Sequence, residues 1–538
     1  MTSKLNTATL LSILVLSLIG GSVSLSDGQK NGMGKRIPIA KGVYRNPIEV
    51  PTNGREIADP SVYKYKDRYY LISTQEYPHG GDGFRVWVST DLVDWKFHRS
   101  VPIKGKLNPM MAPDLAYHEG TYYLYWSVDD PNHDPKGIHY GAKYTPKGVD
   151  FDPFGPDTRY EIFTYDFLHT KRHNIDGEIF FDRNDIYMFF CGHGGIRYKQ
   201  LQSLGDSGDG PVHQLTSCVV DGIDIKPGEP GNNGWTEAPA IFLLDGYYHM
   251  TYSGVHFLRN DYQIHSARGR SIESIKPYKP NPLIIHTEGD VNGMGNNNWI
   301  MGPDLKTRYT TYHAKLGEGV FNPATQTGFM RKLMLDRYEV APEDGIITAA
   351  PTLTNQPVPD PVGWSADLAS VPSNMAFAAE GKAGITALDG AVKISTTKSG
   401  IGRLLAKKPS AADFVVEGHV KGTGLWRESP PSRIGITAAG GTIKLALGFP
   451  TNPADSTTPA TLQYYIEGKG WTDTGIKDVK FFHAWHKLKI DKNGNTVRFY
   501  YDDRFVEEDV IYSSDGGKLG YFVENAEADL SWIGFSNY

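Results

Sequence analysis

Cysteine is nearly absent from this chain: Cys191 and Cys218 are the two in 538 residues. Two thiols cannot build a disulfide scaffold or a zinc ribbon. Excess charge of one sign is missing too. The 55 Lys and Arg against 61 Asp and Glu leave a net charge of −6, which excludes a nucleic-acid binder held by phosphate contacts. Only one apolar run is long enough to notice, Leu10 to Ile19, and ten residues fall short of the roughly 20 that span a bilayer. With Lys4 before it and Gly20-Gly21-Ser22-Val23-Ser24 after it, the run has the three parts of a secretory signal, residues 1–26. A secreted or periplasmic protein is expected, and with no Cys at the cut a lipoprotein is not. Export permits Cys191 and Cys218 to pair. However, Cys191 ends the apolar run Tyr187-Met188-Phe189-Phe190, which suits a buried thiol.

What the chain has in quantity is Gly (59), Tyr (31) and Trp (10), the composition of many short strands joined by turns. One pattern recurs: a carboxylate, a short strand, a tight turn, then a Tyr-rich strand. It begins at Asp59, Asp114, Asp176, Glu237 and Asp304, at spacings of 55, 62, 61 and 67 residues. Each copy reads as a β-hairpin, and a fixed period of hairpins implies a repeat architecture. Four-stranded propeller blades fit, and five copies give a five-bladed β-propeller over residues 45–350. Residues 27–44 form an N-terminal extension. In a propeller the inner strands line the channel, so the five starting acids are expected to converge there. For Asp114 and Asp304, each following a proline, the plainer expectation is a strand-end cap that bonds backbone N–H groups.

The motifs Ala58-Asp59-Pro60-Ser61, Ser89-Thr90-Asp91-Leu92-Val93-Asp94-Trp95, Ala112-Pro113-Asp114, Ile175-Asp176, Thr236-Glu237-Ala238-Pro239 and Tyr312-His313-Ala314, in this order and spacing, resemble glycoside hydrolase family 43. The resemblance implies a five-bladed propeller that hydrolyses glycosidic bonds with inversion. It makes Asp59 the general base, Glu237 the general acid and Asp176 the group that orients and tunes the acid. The chemistry needs these types: one carboxylic acid protonates the leaving oxygen and one carboxylate deprotonates the attacking water. A third carboxyl beside the acid raises its pKa by repulsion. The resemblance also implies substrate contacts from Arg331, which would fork onto Asp59. It puts His313 beside a channel site for water or a calcium ion, His313 being the possible ligand through water. A hydrated calcium would relieve the crowding of acids.

Several positions depart from the family pattern: Met111 where an aromatic is usual, Gly177 after Asp176, Ala240 after Ala238-Pro239, and Gly295-Asn296-Asn297-Asn298 before the last blade. They lie around the pocket and mark a divergent branch. The loop from Gly192 to Trp235 offers His193 and Trp235 as pocket residues, Trp235 as a flat wall for a sugar ring.

After a Pro-rich linker (351–362), residues 363–538 alternate as strands, with a hairpin signal at Asn493-Gly494. They resemble the concanavalin-type β-sandwich often joined to this family. Packing on the propeller, with closure of one wall of the pocket, is expected ahead of carbohydrate binding. The substrate is expected to be a polysaccharide or oligosaccharide, with no nucleic-acid or membrane partner. The activity implied is α-L-arabinofuranosidase or β-D-xylosidase, with a galactoside-cleaving branch next and a catalytically dead sugar-binding propeller as the rival class.

Overall fold

Each Tyr-rich hairpin of the sequence is the inner pair of a propeller blade. The structure is a computed structural model that describes residues 42–538 apart from 75–82, 105–108, 129–137, 148–150, 165, 171–173, 193–194, 216–235, 256, 279–282, 317–329, 369–376, 397–399, 426–430, 450–457, 479, 481–483 and 512–514. The signal segment, His193, Cys218 and Trp235 therefore lie outside the described residues.

The inner strands of blades 1 to 5 are Ser61–Tyr65, Met111–His118, Asn174–Asp182, Thr236–Leu244 and Asn292–Met301. Each pairs with the following Tyr-rich strand: Arg68–Ile72, Thr121–Val128, Asp185–Gly192, Tyr247–Gly254 and Arg308–Leu316. Two further antiparallel strands complete each blade. Blades 1 and 2 are stitched into one eight-stranded sheet where Lys96–Lys104 runs parallel to Tyr160–Thr164. Every inner strand packs beside the next, and that of blade 5 beside that of blade 1, so the ring is closed. The chain before blade 1 seals the join, with the N–H groups of Ile48 and Ile57 donating to Leu333 and Arg331 of blade 5 at 2.8 and 2.9 Å.

Local chemistry sets the turns. Glu119-Gly120 and Asp245-Gly246 both take positive φ at both positions, the twist that matches a two-residue hairpin. The Ser-x-Asp-Leu-x-x-Trp motif is the tight turn before the outer strand of blade 1. Asp91 there accepts from the Ser89 hydroxyl and from the Val93 and Asp94 N–H groups, while Trp95 Nε1 donates to Leu92 O at 2.9 Å.

Residues 364–538 form a β-sandwich of an eight-stranded and a seven-stranded sheet around one apolar core that includes Ile394, Val416, Leu445, Leu488 and Tyr521. The Asn493-Gly494 signal is a hairpin, His486–Asn493 pairing with Thr496–Tyr501. The sandwich packs on the propeller, but not where a pocket wall would stand. It grips the inner hairpin turn of all five blades, through Lys66–Asp367, Glu119–Lys480, Arg183 to Thr474 O, Asp245–Arg498, and Lys306 to Asn537 O. These turns lie at the far end of the inner strands from Asp59, Asp176 and Glu237. The sandwich is a stopper on the end of the channel opposite the acids. A cavity of about 320 Å³, walled by Asp114, Glu178, Lys487, Lys489 and Tyr500 among others, separates it from the channel. No helix among the described residues is long and apolar enough to cross a membrane.

Candidate active site

One backbone device builds the site. Near its start each inner strand carries a β-bulge or break with one residue at positive φ: Asp59 (49°), Ala112 (45°), Asp176 (57°), Ala238 (52°) and Asn296 (50°). The ladder slips at these points in blades 2 to 5. A bulge re-aims a side chain, and here it does so five times around one axis. The strain of a non-glycine residue in this region is tolerated where the surroundings fix it.

The structural equivalents therefore differ from those expected. Aligned on the bulge, Asp59 and Asp176 match each other and Asn296. Glu237 sits one residue earlier, at the position of Ala58, Met111, Ile175 and Gly295. Asp304 does not converge with the others: it caps the far turn of blade 5, accepting from the Lys306 and Thr307 N–H groups and the Thr307 hydroxyl. Asp114 stands lower in the channel and ties blades together. Its carboxylate accepts the Ile179 N–H at 3.0 Å, as Asn298 accepts the Val62 N–H at 3.1 Å. Both acids are the backbone caps that the preceding prolines suggested.

The space between the bulges is about 30 Å³, lined by Pro60, Ala112, Asp176, Gly177, Ala238 and Asn296 among others. That holds about one or two waters and no sugar ring. Chemistry on a glycan is confined to the mouth.

Asp59 is oriented from three sides. The Thr74 hydroxyl donates to its carboxylate and accepts the Ala112 N–H at 2.9 Å. Asn296 adds a side-chain hydrogen bond. Its own N–H donates to His313 Nδ1 at 3.1 Å. Burial raises the Asp59 carboxyl above the usual range, and the charge of Arg331 and the Thr74 bond offset part of that rise. Its side chain stays 15% exposed, so water reaches it.

Arg331 corrects one expectation. Its fork closes on Glu56, at 2.6 Å (Nη2–Oε1) and 3.0 Å (Nε–Oε2), and Asp59 is 3.9 Å away. Burial opposes the charge on Glu56, but Arg331 overrides it and holds that carboxyl low. Arg331 also lies 5.5 Å from the Phe257 ring. Glu56 and Asn296 are site residues that the sequence reading missed. An acid three residues before Asp59 was the available signal for the first, and the motif departure at Gly295-Asn296 for the second.

Glu237 is buried and accepts from the Tyr262 hydroxyl at 2.7 Å. Asp176 accepts the Ala238 N–H at 3.0 Å and donates its own N–H to Ser127 Oγ at 3.2 Å. Burial, then the charges of Glu237 and Asp59, push Asp176 far above the carboxylate range. Burial and the neighbouring Glu237 carboxyl thus both favour a proton on Asp176, and the two acids titrate as a coupled pair. The structure brings Asp59, Asp176, Glu237, Arg331 and His313 together, and Met111 stands at the mouth in the position that Glu237 holds two blades on.

His313 is buried, and burial with the charges of Arg331 and Lys315 keeps its ring neutral. Because Nδ1 accepts the Asp59 N–H, the proton sits on Nε2, which has no hydrogen-bond partner among the described residues. The ring therefore offers the channel a donor rather than a lone pair. A cation would meet it only through a water, and no cluster of three His, Cys, Asp or Glu suited to a metal occurs among the described residues.

The sequence profile of glycosyl hydrolases family 43 matches residues 44–346, more than half of the chain. The chain belongs to glycoside hydrolase family 43. Over 259 residues, 46% of this family 43 chain, it is 26% identical to the non-reducing end α-L-arabinofuranosidase BoGH43B of Bacteroides ovatus, and the match spans 42% of that relative's length. It is 24% identical over 262 residues to an extracellular endo-α-(1→5)-L-arabinanase of Bacillus subtilis, covering 45% of this chain and 73% of the relative. Among solved structures it aligns with the family 43 protein BlXynB of Bacillus licheniformis over 92% of this chain and all of the other, at 15% identity and a TM-score of 0.46.

Proposed function

We propose that this family 43 chain is a secreted inverting glycoside hydrolase that releases α-L-arabinofuranosyl residues from a polysaccharide or oligosaccharide. The observation that carries the reading is the unequal setting of the two acids at the mouth. Asp59 is partly exposed, held by hydroxyl and amide donors and near an arginine, as a base that activates water must be. Glu237 is buried, holds the Tyr262 hydroxyl and sits beside Asp176, a setting that favours the protonated form an acid needs before it protonates a leaving oxygen. In the first half of the step Asp59 takes a proton from water on one face of the sugar. Glu237 delivers a proton to the glycosidic oxygen on the other, and the C–O bond breaks as the water oxygen bonds to the anomeric carbon. Arg331, locked on Glu56, keeps its Nη1 3.9 Å from the Asp59 carboxylate.

The arabinofuranosyl preference is supported by the named activities of the relatives, and secretion by the signal-like start and the extracellular relatives. A purified-protein screen on aryl arabinofuranosides, xylosides and galactosides, run beside Glu237→Gln, tests it. Release from the arabinofuranoside, lost in the variant, is expected. Turnover of the xyloside or galactoside alone would move the sugar assignment. Binding of a polysaccharide without any turnover would replace the hydrolase by a sugar-binding propeller, a reading that the intact acid–base set argues against.

A further inference from the structure

The five bulges are anchored by a ring of hydrogen bonds from blade to blade, and one member of the ring is different. In four of the five, the bulge N–H goes to a second-strand residue of the preceding blade. Asp59 N–H donates to His313, Ala112 N–H to Thr74, Asp176 N–H to Ser127 and Asn296 N–H to Ser253, at 2.9 to 3.2 Å. These acceptors share one register. Ser127 faces Met111, Ser253 faces Glu237 and His313 faces Gly295, each the residue just before the bulge, and the Thr74 N–H donates to Ala58 O. The fifth residue in that register is Cys191, which faces Ile175. It is a buried thiol, and sulfur is a weak acceptor. Next to it the pattern changes: the Ala238 N–H donates to the Asp176 carboxylate at 3.0 Å.

We propose that Cys191 is a positioning residue for the acid centre: by seating sulfur where the other four blades seat an oxygen or nitrogen acceptor, it leaves the Ala238 N–H to the Asp176 carboxylate. The consequence is geometric. Ala238 follows Glu237 in the chain, so the bond from its N–H fixes Asp176 against the backbone that carries Glu237. A serine at 191 would offer the Ala238 N–H the acceptor that Ser127 and Ser253 offer their neighbours. Asp176 would then lose its one backbone donor, while Glu237 on the next blade, Asp59 and Arg331 around the mouth, and Glu178 and Asp114 below in the channel keep facing it. The effect on catalysis rests on the hydrolase reading; the hydrogen-bond exchange does not.

The test compares Cys191→Ser with Cys191→Ala in the full chain. Alanine removes the sulfur without adding an acceptor, so it controls for lost packing. On an aryl glycoside, Cys191→Ser is expected to lower kcat about tenfold, the worth of one hydrogen bond to a charged group, with KM within about twofold. Its pH–rate limb governed by the carboxyl pair is expected to move, and that of Cys191→Ala to stay. A readout without substrate runs in parallel: the melting temperature of both variants from pH 4 to pH 10. An acid raised in the folded state loses stability as pH climbs from its unfolded value through its folded one. Removing a donor raises Asp176 further, and the added cost appears only as pH passes its present folded value, so Cys191→Ser should fall behind Cys191→Ala at the alkaline end and not at pH 4. If the two variants track each other in melting profile and in rate, the proposal is overturned. If the unmodified chain turns over no glycoside, the hydrolase reading fails on its own, and the melting profiles still decide the role of Cys191.

Discussion

The two ends of the propeller channel handle charge in opposite ways. At the stoppered end cations meet anions: Lys64 bonds Glu417 at 2.7 Å with both side chains buried, Lys487 bonds Asp503, and Arg498 reaches Asp245 at 3.0 Å. There Lys64 and His419 hold Glu417 ionised against the cost of its burial, far below the usual carboxylate range. At the mouth like meets like: Asp59, Asp176 and Glu237 crowd one buried space with Arg331, whose fork is already taken by Glu56. The closed end is arranged for cohesion. The mouth stores burial cost and repulsion that a stability-driven sequence would remove, and together they push the Asp176 carboxyl up.

Breaking the mouth should abolish chemistry and spare the fold. Glu237→Gln is expected to lower kcat/KM on unactivated glycosides by about 10²–10⁴-fold, with partial recovery on an aryl leaving group that needs little protonation. Asp59→Asn should lose turnover with every leaving group. Steady-state kinetics on the two substrate types separates the roles, and full activity in either variant would remove the role assigned to it.

Breaking the stopper should do the reverse. Glu417→Ala leaves the Lys64 ammonium buried without its partner, which costs about 3–5 kcal/mol of stability. Denaturant unfolding should show that loss, while kcat on a small aryl glycoside stays within about twofold. A matched loss of rate in the native baseline would mean that the stopper shapes the mouth after all.

Asp176→Asn sharpens the contrast with a smaller effect of opposite sign. Asp176 is raised in the fold, so its penalty is small near pH 4, its unfolded value, and grows as pH rises from there to its folded value. The variant should therefore gain melting temperature at pH 8 relative to the unmodified chain and gain little at pH 4, while losing activity. The smallest effect belongs to Arg498→Ala. Its pair with Asp245 is about a quarter exposed on each side, so water screens it, and about 1 kcal/mol or less should be lost.

The repeat of Tyr-rich hairpins was readable because strand alternation and turn residues are local, so blade number followed from residues alone, while the three mouth acids were picked out by the resemblance to family 43. The bulge ring was not. Asp59, Ala112, Asp176, Ala238 and Asn296 share a backbone conformation and no side-chain type, so aligning the repeats on carboxylates misplaced Asp114 and Asp304. The prolines after Asp59, Ala112 and Ala238 were the signal that would have aligned three of the blades. The fork from Arg331 to Glu56 and the seat of the sandwich depend on contacts between residues 231 or more apart in the chain, 275 in the Arg331–Glu56 bonds, and no local pattern carries these.

The most direct test of an acid–base pair working across one sugar is the anomeric configuration of the first sugar released, followed by ¹H NMR from the start of the reaction on an arabinofuranoside. The anomer of inverted configuration should appear first and the other only by mutarotation. Retained configuration in the first-formed sugar would contradict the roles given to Asp59 and Glu237.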